Sequence, residues 1–80
     1  MSQPQRVEKM HRFKVVPLGN IQARFHVIGV DAGDVIAMAN RTAYSDFDIW
    51  RDGEYAFSLR KDQREEFWTI FQRIPTGILN

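Results

Sequence analysis

The sequence predicts an α+β fold in two layers, a four-stranded, mostly antiparallel sheet with two helices on one face. Two observations predict this class. Four segments alternate apolar and polar residues with a period of two, which is typical of half-buried strands. Two further segments carry an apolar stripe at helical spacing, and the order along the chain is ββαββα. Packing both helices on one side of the sheet buries every apolar face in the simplest way.

Two segments near the start of the chain form the first predicted hairpin. A three-residue loop at 18–20 pairs Phe13 with Phe25 and puts the apolar partners on one face. A two-residue turn would instead pair Lys14 with Phe25 and mix the faces. In the favoured register Asn20 takes the left-handed conformation, which Asn tolerates.

The first helix is predicted over residues 32–43. Asp31 is a good N-cap, and Asp34 adds a negative charge to the first turn. Val35 and Ala39 then fall on one helical face. A third strand is the rival interpretation, because Val35 and Ile36 favour strands.

The second hairpin turns at residues 51–53. A three-residue loop with Gly53 in the left-handed conformation pairs Ile49 with Tyr55 on the apolar face. The same register places Trp50 on the polar face.

The second helix is predicted to follow this hairpin. Residues 62–65 have the spacing of a capping box, with Asp62 in the Ser/Thr position. Pro75 would end the helix. Apolar residues recur at helical spacing between them, at Phe67, Ile70, Phe71 and Ile74.

Length and composition limit what the chain can be. Eighty residues suffice for one domain, predicted at 11–75 between a flexible segment at 1–10 and a short tail at 76–80. A hydrophobic content of 44% with a net charge of +1 excludes bulk disorder. No apolar run approaches the roughly 20 residues that span a bilayer. Because the first ten residues lack an apolar signal core and the chain has no Cys, we expect a cytoplasmic protein.

Catalysis has little support in the sequence. His11 and His26 are the only histidines, and the hairpin register puts them on opposite faces. Asp46 and Asp48 share a face and could do acid–base work, but a solvated edge or pairing to neighbouring cations is the simpler interpretation. The sequence therefore predicts no enzyme, no metal and no cofactor.

The leading functional prediction is a small protein-interaction or regulatory module. An exposed Trp surrounded by charge has the composition of a binding hot spot, and Trp50 lies between Asp48 and Glu54 on the polar strand face. Trp68 is added as a second candidate, although packing at the rim of the core would also explain it. The partner is another protein or a second copy of the chain.

The alternative prediction is nucleic-acid binding through the first hairpin. Residues 1–30 carry five Lys and Arg against a single Glu. Three arguments oppose this alternative: no exposed aromatic separates the cations, the overall pI of about 8.2 is mild for a nucleic-acid-binding chain, and the acidic second hairpin could neutralise the cations across strands. The candidate residues are Arg12, Lys14, Arg24 and His26.

Overall fold

The computed structural model describes residues 9–62, 64 and 67–74. The predicted tail at 76–80 and most of the predicted flexible segment at 1–10 lie outside these residues. The described elements are five strands, one α-helix and a single 3-10 turn: β1 His11–Pro17, the turn Ile21–Ala23, β2 Phe25–Gly29, α1 Ala32–Ala39, β3 Asp46–Arg51, β4 Glu54–Asp62 and β5 Phe67–Phe71.

The fold differs from the prediction in both layers. A five-stranded antiparallel sheet with one α-helix replaces four strands and two helices among the described residues. The spatial order is β2-β1-β3-β4-β5. Strands β2 and β3 both run antiparallel to β1 and flank it on opposite sides, so α1 connects them across β1.

The second predicted helix is wrong because its apolar segment forms β5. Residues 67–71 are aromatic or β-branched throughout, a composition that favours strands. The nine-residue β4 offers a free edge, and β5 pairs with it from Ser58↔Phe71 to Asp62↔Phe67. The carboxylate of Asp62, the last residue of β4, accepts a hydrogen bond from the backbone N–H of Arg64, which lies in a turn.

The first hairpin keeps its predicted faces but not its predicted register. Phe13 pairs with Val27 rather than with Phe25, a shift of two residues that leaves the apolar side chains on the same face. The shift arises because the 3-10 turn lengthens the loop. Gly19, and not Asn20, takes the positive φ, at +78°.

The second hairpin closes with a two-residue turn instead of three. Asp52 and Gly53 both have positive φ, as a type I′ turn requires, so the left-handed conformation predicted for Gly53 is confirmed. A β-bulge between Ile49 and Trp50 then restores the apolar pairing, with Ile49 opposite Phe57.

The hydrophobic core lies between α1 and one face of the sheet. Its fully buried side chains include Phe13, Phe47, Ile49 and Leu59 from the strands and Val35 from the helix. Asp31 caps α1 as predicted by accepting a hydrogen bond from the backbone N–H of Gly33. The helix ends at Ala39, four residues earlier than predicted. Within the described residues, no helix is long and apolar enough to cross a membrane.

Candidate functional site

The sheet face opposite α1, called the outer face below, contains a cleft beside Trp50. We call it the Trp50 cleft. Its volume is about 310 Å³, and its lining combines three basic or imidazole side chains, one indole and the turn of the second hairpin: Arg12, Lys14, His26, Trp50, Asp52 and Gly53.

Strand order and register bring the cleft residues together. Lys14 in β1 pairs with His26 in β2 on one side and with Trp50 in β3 on the other. Directly opposed residues of antiparallel strands point to the same face, so the three side chains form a row across the sheet. The row joins Lys14 and His26, which are candidates for nucleic-acid binding, to Trp50, which is a candidate for protein binding.

The Trp50 indole is held between a cation and a second aromatic ring. The ammonium nitrogen of Lys14 lies 5.0 Å from the ring centroid, within the range of a cation–π interaction. Tyr55 packs its ring edge-on at 5.8 Å between centroids and 76° between planes. Tyr55 had been predicted on the apolar face opposite Ile49. The β-bulge turns it to the outer face, where it pairs with Trp50.

Asp52 fixes the rim of the cleft to β1. Its carboxylate accepts one hydrogen bond from the ring nitrogen of His11 at 2.7 Å and another from the backbone N–H of Arg12 at 3.0 Å. These two hydrogen bonds, the one from His11 foremost, lower the pKa of Asp52. The carboxylate of Asp52 at the rim is therefore already hydrogen-bonded within the protein.

Within residues 9–62, 64 and 67–74, neither Arg12 nor Lys14 lies within ion-pair distance of a carboxylate. Arg24 is placed differently: its guanidinium donates to the carbonyl of Ile21 and closes the 3-10 turn, and it does not line the cleft.

The acidic residues of β3 pair with other cations. Arg73 donates to Asp48 and to Asp46, in each case at 2.6 Å, and Arg60 donates to Asp46 at 3.1 Å. On β1 the partner of Asp48 is Val16, which carries no charge. The predicted neutralisation of the basic hairpin by Asp46 and Asp48 does not take place in the described structure.

Asp48 is not available to a partner. The residue is 2% exposed, and its carboxylate also accepts a hydrogen bond from the hydroxyl of Ser58. Burial alone would lower the pKa of Arg73, but its hydrogen bonds to Asp46 and Asp48 outweigh burial and raise it. Asp48 and Arg73 thus form a structural ion pair.

The two remaining candidates lie apart from the cleft. Glu54 is exposed at the start of β4 and pairs with Arg51 in the hairpin. Trp68 lies on the other face of the sheet, where its ring packs 5.9 Å from that of Phe47 and its N–H donates to the side-chain oxygen of Asn40. Trp68 therefore packs at the rim of the core.

Three residues of the site were missed from the sequence, namely Asp52, Gly53 and Tyr55. The signal was present, because Asp-Gly between two alternating segments is a strong indicator of a two-residue type I′ turn. A two-residue turn pairs Trp50 with Tyr55. The bulge that makes this turn compatible with the apolar pairing farther along has no comparable local signature.

The arrangement suits binding of an anionic or planar group. No set of three or more His, Asp or Glu residues in the described part of the chain is placed to hold a metal ion.

No protein-family model matches the chain, and comparisons with curated proteins and with solved structures gave no significant match.

Proposed function

We propose that the chain is a small, non-catalytic binding module whose Trp50 cleft binds single-stranded nucleic acid. One observation carries this proposal: the Lys14 ammonium lies 5.0 Å from the Trp50 ring in a cleft that also contains Arg12 and His26. Single-strand binding proteins combine a basic groove that follows the backbone with aromatic rings on which bases stack.

Two of the three sequence arguments against this function lose force in the structure, whereas the mild pI of about 8.2 is unchanged. The neighbouring strand β3 places the half-buried Trp50 beside Lys14, so a partly exposed aromatic ring lies next to the cations of the first hairpin. The nearby carboxylates of Asp46 and Asp48 form their ion pairs with Arg73 and not with Lys14.

A single strand fits this site better than a duplex does. The indole offers a flat apolar surface, and Lys14 is a flexible side chain that can leave the ring to meet a phosphate. Only an unpaired base presents a free face to such a ring, because bases in a duplex are already stacked.

The experiment is a fluorescence-anisotropy titration of a labelled single-stranded oligonucleotide at several salt concentrations. We expect Trp50→Leu to weaken binding by about tenfold, since one stacked base contributes roughly 1–3 kcal/mol. Lys14→Gln should reduce the slope of log affinity against log salt by about 1, because one phosphate contact is lost.

Lys61→Gln is the matched control. Lys61 also lies over an indole, that of Trp68 at 5.9 Å, but on the opposite face of the sheet. This variant removes the same charge and should leave binding unchanged. Absence of binding at low salt, or an equal loss in Lys61→Gln, would refute the proposal.

A protein partner on the same face is the second candidate function. Trp, Tyr and Arg are the residues most enriched in binding hot spots, and Trp50, Tyr55 and Arg12 meet on the outer face. A pull-down with wild-type chain and Trp50→Ala tests it. A partner that is lost with Trp50→Ala and retained after nuclease treatment would favour this candidate over nucleic acid.

A further inference from the structure

Strand β5 forms one end of the sheet, and the edge that faces away from β4 pairs with no strand among the described residues. Natural edge strands are usually protected by charged side chains, proline or bulges. Residues 67–71 read Phe-Trp-Thr-Ile-Phe and contain neither a charge nor a proline. The edge therefore lacks the devices that prevent pairing with another strand.

Both faces of β5 present apolar surface. Phe67 lies on the outer face and is 50% exposed, while Ile70 lies on the opposite face and is 53% exposed. A strand that adds to this edge would cover side chains on both faces at once.

We propose that β5 pairs with β5 of a second copy of this chain, antiparallel and around a two-fold axis through Thr69. An axis perpendicular to the sheet keeps outer residues opposite outer residues, as strand pairing requires. Of the registers with this symmetry, the one centred on Thr69 pairs all five residues of β5. Two sheets then join into one of ten strands.

The chemistry of β5 is complementary to itself in this register. Phe67 lies opposite Phe71 of the second copy, Trp68 lies opposite Ile70, and Thr69 meets its own equivalent. Aromatic pairs, aromatic–β-branched pairs and Thr–Thr pairs are all favourable across strands. Because β5 carries no charge, it has no ionic group that would select a different protein as its partner. A two-fold contact between two copies of the chain needs only a surface that is complementary to itself.

Charge substitution at Thr69 tests this pairing, with mass measured by sedimentation over a range of micromolar to millimolar concentrations. Wild type should rise toward twice the 9.4 kDa mass of one chain. Thr69 is exposed, so Thr69→Lys and Thr69→Glu should fold, and each should stay monomeric because like charges meet at the axis. Mixing the two variants should restore the dimer, since each Lys then faces a Glu. Thr69→Val is the uncharged control and should dimerise.

A cross-link provides an independent measurement. The chain has no cysteine, so Thr69→Cys introduces a single thiol at the axis, and we expect a disulfide-linked dimer under mild oxidation. Ile28→Cys is the control, because Ile28 is 62% exposed on β2 at the other end of the sheet. A wild-type chain that stays monomeric, a mixture that fails to dimerise, or preferential linking through Ile28→Cys would overturn the proposal.

Discussion

Gly29 shows how a single residue shapes the connection from the sheet to the helix. A methyl group at this position would lie 2.6 Å from the β-carbon of Asp34 and 2.7 Å from its carboxylate oxygen. That same oxygen accepts the backbone N–H of Val30 at 2.7 Å, so the glycine allows Asp34 to bind the loop at the end of β2. The close approach of Asp34 explains why this position is a glycine, since its φ is not in the left-handed region that would otherwise favour glycine.

We expect Gly29→Ala to destabilise the domain by about 1–3 kcal/mol, the typical cost of overpacking at a rigid contact. Gly33→Ala is the control. Its added methyl group would meet only the carboxylate oxygen of Asp31 at 3.2 Å, and alanine favours a helix. Chemical denaturation of both variants measures the difference. Equal stability of Gly29→Ala and wild type would show that Asp34 moves away without loss.

Local backbone chemistry was largely readable from the sequence. The Asp31 cap and the left-handed Gly53 follow from side-chain and steric rules that act over a few residues. The conformation of Asn20 was wrong because it depended on the exact length of the loop. A 3-10 turn of three residues was enough to move the positive φ to Gly19.

At the scale of elements, β5 marks the limit of periodicity as a guide. Phe67, Ile70 and Phe71 recur at helical spacing, yet in the strand Ile70 faces away from the other two. Their strand propensity favoured the observed structure, and the open edge of β4 provided the partner. Tertiary pairing decides such cases, and neither the existence nor the position of that edge is local information.

The segment after β5 is joined to the sheet by Arg73. Its guanidinium bridges Asp46 and Asp48, and its backbone N–H donates to the hydroxyl of Tyr55. Since Tyr55 packs against Trp50, the hydrogen bond from the Arg73 backbone also supports the position of Trp50 in the cleft.

Removal of Arg73 should therefore destabilise the fold. We expect Arg73→Met to lower the free energy of unfolding by about 3 kcal/mol, because it leaves the carboxylate of Asp48 buried without its cation. The control is Arg60→Met, which removes an ion pair with Asp46 from a side chain that is 59% exposed and should cost less than about 1 kcal/mol. Asp48→Asn combined with Arg73→Met should recover part of the loss. Urea denaturation compares the variants, and equal costs for Arg73→Met and Arg60→Met would contradict this role.

At the scale of the whole molecule, the candidate site follows from strand order. The sequence indicated that Lys14 and Trp50 both lie on polar strand faces, but it did not indicate that β1 and β3 are neighbours. That adjacency depends on the crossover through α1 and joins residues 36 positions apart. Amphipathic patterns determine which face a residue occupies, whereas the neighbour it meets on that face depends on how the elements assemble.

The tip of the second hairpin fastens this assembly to the start of β1. The backbone N–H of Asp52 donates to the carbonyl of Arg12, while its carboxylate binds the Arg12 N–H and the His11 ring. These contacts join the centre of the sheet across 40 residues of chain and hold the rim of the Trp50 cleft.

Stability should depend on pH through this contact. The hydrogen bonds from His11 and Arg12 lower the pKa of Asp52 below its ordinary value of 3.8. A carboxyl group whose pKa is lower in the folded chain than in the unfolded chain stabilises the fold above the unfolded pKa. This contribution is lost as the pH falls through the folded pKa.

Asp52→Asn removes the charge but keeps a side chain that tolerates the positive φ of 53°. We expect wild type to melt at a higher temperature than Asp52→Asn at pH values well above 3.8, and the difference to shrink at pH values below 3.8. In a His11→Gln background the pH dependence of this difference should weaken, because the main cause of the lowered pKa is gone. A difference in melting temperature that stays constant between these pH values would show that the charge of Asp52 does not fasten the hairpin to β1.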